Sequence, residues 1–212
     1  MILRKYANSG LPVMMAVLAA LVLLNPPPAQ AQDMTVELDP ARTTVAFTLK
    51  DILHTVHGTF QLSSGVVRFN PASGTATGRI VVDVTSGESG NKTRDRKMHN
   101  EILQSDKYPE ATFIPTHMSG VVSAEGSSRI EVQGIFRLHG TDHPIALTVP
   151  LQASGSSLTA TIHTMIPYVA WGLKNPSNFL LRVSDKVSLD ITTTGRISLD
   201  ANRGRRSDPD QR

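Results

Sequence analysis

Apolar residues recur with period two along most of the chain. Val45, Phe47 and Leu49 alternate with Thr44, Ala46, Thr48 and Lys50, and Ile80, Val82 and Val84 alternate with Arg79, Val81 and Asp83. Ile130, Val132, Gly134, Phe136 and Leu138 share one parity against Glu131, Gln133 and Arg137. Ile145, Leu147, Val149 and Leu151 follow, and Val187, Leu189 and Ile191 close the series against Ser188, Asp190 and Thr192. Strands with one buried and one wet face belong to antiparallel sheet rather than parallel α/β. Turn chemistry punctuates the runs at Ser63-Ser64-Gly65, Pro71-Ala72-Ser73-Gly74, Glu125-Gly126-Ser127, His139-Gly140-Thr141-Asp142 and Ser154-Gly155-Ser156. Many strands with short turns must close or stack to hide their edges. The pattern therefore predicts an all-β barrel or sandwich and leaves that choice open.

One segment departs from it. Thr93 to Leu103 has no alternation, and its sizeable apolar residues are Met98, Ile102 and Leu103. Met98 and Ile102, four apart, share a helical face. Thr93 is placed to cap the start, Asp95 favours the first turn and Pro109 forbids continuation. The expectation is a single short helix lying on a sheet or across a barrel mouth. No internal repeat is present.

The two ends read differently from the body. Arg4 and Lys5 precede an apolar run from Leu11 to Leu24, and Ala29-Gln30-Ala31 forms a small-residue cleavage signal. That run, about 14 residues, is short of the roughly 20 a membrane span needs. Residues 1–31 are thus expected to be a cleaved signal peptide, with Gln32 the mature N-terminus and an uncleaved anchor the rival. Cleavage would leave no stable membrane insertion and send the protein to the periplasm, or else to the exterior. Residues 200–212 contain no large apolar side chain and read as a disordered polar tail. The expected domain is residues 32–199.

Charge changes meaning once it is located. The whole chain carries a formal +3 and a pI near 9.4. Removing Arg4, Lys5, Arg203, Arg205, Arg206 and Arg212 takes Lys+Arg from 21 to 15, and removing Asp200, Asp208 and Asp210 takes Asp+Glu from 18 to 15. The body is neutral, so composition demands no nucleic-acid face. Apolar content of 40% exceeds that of a disordered chain and is too low for a multi-span membrane protein. The absence of cysteine excludes disulfides, thiolate metal sites and a thiol nucleophile.

Several pieces in fixed order resemble one family, the YceI-like proteins that bind polyisoprenoid lipids. Thr44-Val45-Ala46-Phe47-Thr48-Leu49 followed by Val56-His57-Gly58-Thr59-Phe60 resembles the family's first hairpin. Ile80-Val81-Val82-Asp83 and then Arg94-Asp95 with Met98 resemble its strand-to-helix passage. Tyr108-Pro109-Glu110-Ala111-Thr112-Phe113 resembles its Tyr/Phe-Pro-x-x-x-Phe signature, and Leu138-His139-Gly140 with Pro144-Ile145 and Leu147 its return strand. The resemblance covers roughly residues 35 to 198. It implies a lipocalin-like, eight-stranded antiparallel β-barrel with one short helix, and an isoprenoid lipid or prenylquinone held inside as a ligand, with no cofactor. The His54-Thr55-Val56-His57 and Asn175-to-Leu181 stretches depart from the family's generic pattern, which bears on head-group preference more than on fold.

The candidate ligand-binding residues are Phe47, Leu49, Phe60, Val82, Met98, Leu103, Tyr108, Phe113, Phe136, Trp171 and Phe179. The inward-parity members either line a tunnel or pack a filled core. Met98, Ile102 and Leu103 either form a soft lid or simply dock the helix. Arg94 and Tyr108 are head-group candidates: arginine's fork suits phosphate oxygens, against a solvated face in which Arg94 pairs with Asp95. For Tyr108 the alternative is a half-buried anchor. Trp171 either stacks on a quinone ring or plugs the barrel end. Among seven histidines, the pairs His54/His57 and His139/His143 lack a converging third ligand, so no metal is expected. No nucleophile elbow, H-E-x-x-H, P-loop or dinucleotide fingerprint occurs, and an enzyme is not expected. The alternative function is a filled barrel serving stress response or interaction, and the sequence leaves room for a homodimer.

Overall fold

The computed structural model describes residues 32–177 and 182–200; the expected signal peptide and all but the first residue of the polar tail lie outside them. Eight antiparallel strands close in sequence order: β1 (Met34–Lys50), β2 (Thr55–Phe69), β3 (Ala76–Glu88), β4 (Glu110–Gly120), β5 (Gly126–Leu138), β6 (Thr141–Ser154), β7 (Ser157–Ile166) and β8 (Val187–Leu199), with β8 back on β1. Closure removes the edges that so many strands would otherwise expose, and it decides barrel over sandwich. Ser63-Ser64-Gly65, read from composition as a turn, is instead the interior of β2 at a register shift. The position needs glycine because a side chain would collide with Leu38, whose Cδ1 lies 2.7 Å from the place a Cβ would take.

The interior is divided along its axis. At the end where β1 begins, at Met34, inward residues are buried and pack on one another: Val36, Phe69, Met118, Ile130, Leu151 and Leu158 belong to one continuous cluster. At the other end, inward residues such as Leu49, Val82, Phe136 and Leu189 are only half-buried although they face the barrel axis. The change falls where β1 bends. Residues 39–42 leave both neighbouring ladders, Asp39 caps its own turn through Ala41 N–H (2.9 Å), and Thr43 Oγ1 meets Thr193 Oγ1 at 2.6 Å. At this waist, inward glycines admit large side chains: Leu38 fits against Gly65 and Gly195, and the Phe113 ring lies on Gly134.

Two ladders are short. The β3–β4 ladder covers only Ile80–Asp83 against Glu110–Phe113, which leaves residues 84–88 of β3 beyond it toward the hollow end and 114–120 of β4 beyond it toward the filled end. The β6–β7 ladder covers only Leu151–Ser154 against Ser157–Ala160 and so opens a second seam toward the hollow end. The connection after β3 supplies helix α1 (Lys92–Lys97), which runs directly into a π-helical turn, Met98–Leu103. Its N-cap is Asn91, whose Oδ1 accepts from Thr93 and Arg94 N–H at 3.1 Å each; Thr93, the residue expected to cap, lies inside the first turn. His99 ties the turn down. A carbonyl only accepts, so His99 Nε2 donates to Gly87 O (2.8 Å) and Nδ1 accepts the Ser105 hydroxyl (3.0 Å). The connection after β7 closes the second seam, with Trp171 stacked on His143 of β6 at 4.0 Å and 4°.

Candidate functional site: an apolar chamber at the open end

The hollow half is a chamber of about 570 Å³ with almost wholly apolar walls, a volume within the range of small-molecule sites. Its walls follow from strand parity. Val45, Phe47 and Leu49 face in from β1, Val82 and Val84 from β3, Phe136 and Leu138 from β5, and Val187, Leu189 and Ile191 from β8. Phe47 and Phe60 form a tilted ring pair at 5.3 Å. Each ring uses a missing side chain: Phe47 lies over Gly58, and Phe60 over Gly87.

The helical connection roofs the chamber. Met98, Ile102 and Leu103 all line it. The i→i+5 winding of a π-helix carries Leu103, five residues on, to the face that Met98 and Ile102 share. Among the described residues, the charged and amide side chains of the lining come from the two connections at this entrance, β1–β2 and β3–β4: Asp51, Asn91, Arg94 and Lys97, joined by Ser89 and Thr93. Arg94 spends two donors on Ser89, from Nε to Oγ and from Nη2 to the carbonyl, at 2.7 Å each. Asp95 accepts from the same serine's N–H and hydroxyl. The direct Arg94–Asp95 pair read from the sequence is thus a bridge through Ser89, because the helix projects the two side chains onto the strand end rather than onto each other.

The candidates separate clearly. Phe47, Leu49, Phe60, Val82, Met98, Leu103, Phe136 and Arg94 come together around the chamber. Tyr108, Phe113 and Trp171 are not among the lining residues. Tyr108 packs over Gly140 and against the His139 ring (4.2 Å), with Lys107 Nζ 5.1 Å from its own ring centroid. Phe113 sits at the waist on Gly134, and Trp171 stacks on His143 with its ring centroid 5.8 Å from that of Phe136. Phe179 lies outside the described residues. The histidines occupy other contacts: His57 Nδ1 meets Thr48 Oγ1 at 3.1 Å, and His54 lies beside Asp51. Asp142 binds Arg137 at 2.5 and 2.9 Å, which engages the oxygens that would have stood beside His143. Burial, with nearby Lys107, holds His139 below the ordinary imidazole value.

Among the described residues, four apolar or aromatic lining residues carried no periodic signal, since Tyr168, Leu173, Pro176 and Val183 all come from the β7–β8 connection. Tyr168 and Leu173, on either side of Trp171 in sequence, are buried to 5% and 4% exposure. The Tyr168 hydroxyl donates to Ser184 O at 2.7 Å, and burial together with Asp185 pushes its pKa up to about 12. Val45, Val84, Leu138 and Ile191 were findable, since each shares the parity of a named neighbour.

The fold and the chamber define a class: a closed antiparallel barrel, filled at one end and hollow at the other, of lipocalin-like form. Comparison makes the assignment particular. The YceI-like domain matches residues 37–195, and the chain belongs to that family. A UPF0312 protein of Vibrio parahaemolyticus is 27% identical over 140 residues, covering 65% of this chain and 72% of that protein. One from Shewanella sp. strain ANA-3 is 29% identical, covering 61% and 69%. Among solved structures, Burkholderia cenocepacia BcnA superposes with a TM-score of 0.62 at 19% identity, covering 74% of this chain and 98% of that one. A polyisoprenoid binding domain from Saccharophagus degradans, implicated in plant cell wall breakdown, gives 0.57 at 16% identity, covering 77% and 98%.

Proposed function

We propose that this protein is an exported, non-catalytic lipid-binding barrel that holds an isoprenoid chain, free or carried by a quinone, in its open-end chamber. The observation that carries this reading is the chamber itself: about 570 Å³ of inward space with apolar walls, of which Leu49, Val82, Phe136 and Leu189 are only half-buried. Such walls gain roughly 25 cal/mol for each Å² that a ligand takes from water, and a prenyl chain offers apolar surface with little need of polar partners. Charged groups gathered at the entrance, Arg94 and Lys97 among them, suit a ligand whose one polar end stays near solvent. The name of the Saccharophagus relative supports the choice of an isoprenoid over other apolar chains. The signal-like residues 1–31 support a periplasmic place of work.

Purification from the native host, solvent extraction and lipid mass spectrometry test the proposal. A co-purifying prenyl lipid, or stoichiometric uptake of added prenyl lipid by the emptied protein, is expected. Absence of both overturns it.

A further inference from the structure

Beside the chamber entrance, the β1–β2 hairpin presents two large apolar side chains to solvent. Ile52 is 66% exposed and Leu53 71% exposed. They are held up on a built turn rather than a loose one. Asp51 Oδ1 accepts from the N–H of Leu53 (2.7 Å) and His54 (2.6 Å), and Asp51 N–H donates to His54 O (2.9 Å). Ile52 N–H donates to Arg182 O at 3.3 Å, and Asp51 bridges Val183, which itself lines the chamber. The tip is therefore continuous with the entrance.

Immediately below it, on the outer wall, lies a second hollow of about 340 Å³ that brings together Lys50, Lys186, Ser184, Ser188 and Met165. Met165 is 51% exposed. The hollow's one carboxylate among the described residues, Asp190, is hydrogen-bonded to His163 Nδ1 at 2.6 Å and stands against two lysines, so the charge of the lining is net positive. The same polarity runs across this whole end of the barrel. The four connections there (residues 51–54, 89–109, 139–140 and 167–186) carry eight Lys/Arg against five Asp/Glu, whereas the three at the filled end carry one charged residue, Glu125. Exposed apolar side chains on a hydrogen-bonded turn, with lysines and serine hydroxyls in the hollow beside them, match an anionic phospholipid surface: the aliphatic residues reach into the acyl boundary while the lysines meet phosphates.

We propose that the Ile52–Leu53 tip and the Lys50/Lys186 hollow form a docking face for an anionic phospholipid bilayer, which sets the chamber entrance against the membrane. The purpose of docking, direct exchange of lipid between bilayer and chamber, rests on the lipid-binding reading above; the docking itself does not.

The test is co-sedimentation of the mature protein with vesicles of phosphatidylcholine alone or mixed with phosphatidylglycerol, at low and high salt. Uptake of a prenyl lipid delivered from detergent is measured in parallel. The protein should sediment with phosphatidylglycerol-containing vesicles and be released by salt. Ile52→Ser with Leu53→Ser, and separately Lys50→Glu with Lys186→Glu, should each weaken binding about tenfold or more, with detergent-delivered uptake unchanged. Val121→Ser is the control, because Val121 is 75% exposed in the connection between β4 and β5 at the filled end. No sedimentation with anionic vesicles, or an equal loss in the Val121→Ser variant, overturns the docking face. Intact sedimentation with no uptake by any route overturns the chamber reading and leaves the docking face standing.

Discussion

A barrel packed at one end and hollow at the other should respond unequally to the same truncation at its two ends. Leu158 is buried to 7% exposure within the filled cluster, whereas Leu189 is half-buried and faces the chamber. Leucine to alanine removes about three methylene-sized groups, a transfer loss of about 2.4 kcal/mol when the residue is fully buried. In the filled end a new void adds to that at about 24 cal/mol per Å³, so Leu158→Ala is expected to lose about 4 kcal/mol. At Leu189 the space beside the side chain already exists and part of its surface is already accessible, so the loss should be about 1–1.5 kcal/mol. Urea unfolding of lipid-free protein measures both, read as a midpoint shift at constant slope. Ligand uptake should show the reverse order, with Leu189→Ala the weaker binder and Leu158→Ala unchanged. Equal stability losses, or a larger one at Leu189, would refute a hollow end.

Other expectations follow from single contacts. In Gly134→Ala the new Cβ would stand 2.6 Å from the Phe113 ring and 2.5 Å from Ile114 O, so the variant should lose about 1–3 kcal/mol by the same urea assay; an unchanged midpoint would mean that the ring does not rest there. Asn91→Ala removes the α1 cap and should cost about 1 kcal/mol locally, seen as faster amide exchange across Lys92–Lys97 with the strands unaffected. Tyr168 should ionise near 12 rather than at the ordinary 10.0. The raised value means the folded state holds the phenol proton more tightly, so its contribution is complete below pH 10 and is lost as pH rises toward 12. Tyrosinate absorbance against pH, with Tyr168→Phe as reference, decides it; ionisation near 10 would show that the hydroxyl is not buried against Ser184.

Alternation made the strands legible, because burial on one face leaves a period-two trace in the residues themselves. Closure left no such trace: periodicity describes one strand at a time, and only the family resemblance carried the barrel. Ser63-Ser64-Gly65 misled because glycine was weighed as a turn former, when its missing side chain serves Leu38 on the neighbouring strand. The same blindness hid the aromatic-on-glycine contacts of Phe47, Phe60, Phe113 and Tyr108, which join residues far apart in sequence. In the site, wall residues were legible by parity, and the entrance arginine by its place in the helix. Tyr168 and Leu173 were not, since a connection that folds inward has no period to read. The π-helical turn was equally silent, because its bonding pattern has no residue signature comparable to a cap.

The two readings that the inward residues allowed, filled core or tunnel, divide the same barrel between them. What separates the halves is local. Residues 39–42 break the ladders of β1, and Leu38 and Phe113 occupy the waist that inward glycines leave open. Below that level, inward side chains complete one another's packing, and stability needs nothing further. Above it, Leu49, Phe136 and Leu189 keep accessible apolar surface that no side chain covers. A chain without cysteine has no disulfide to offset that exposure, so the filled end and the closed ladder must carry the fold. The hollow end is then free to be shaped by its occupant, and any ligand that binds only the folded barrel adds RT ln(1 + [L]/Kd) to its stability, about 2.7 kcal/mol at a hundredfold excess over Kd. The exposed walls are a cost to the empty barrel, and covering them would be a gain to a barrel loaded with the apolar chain proposed above.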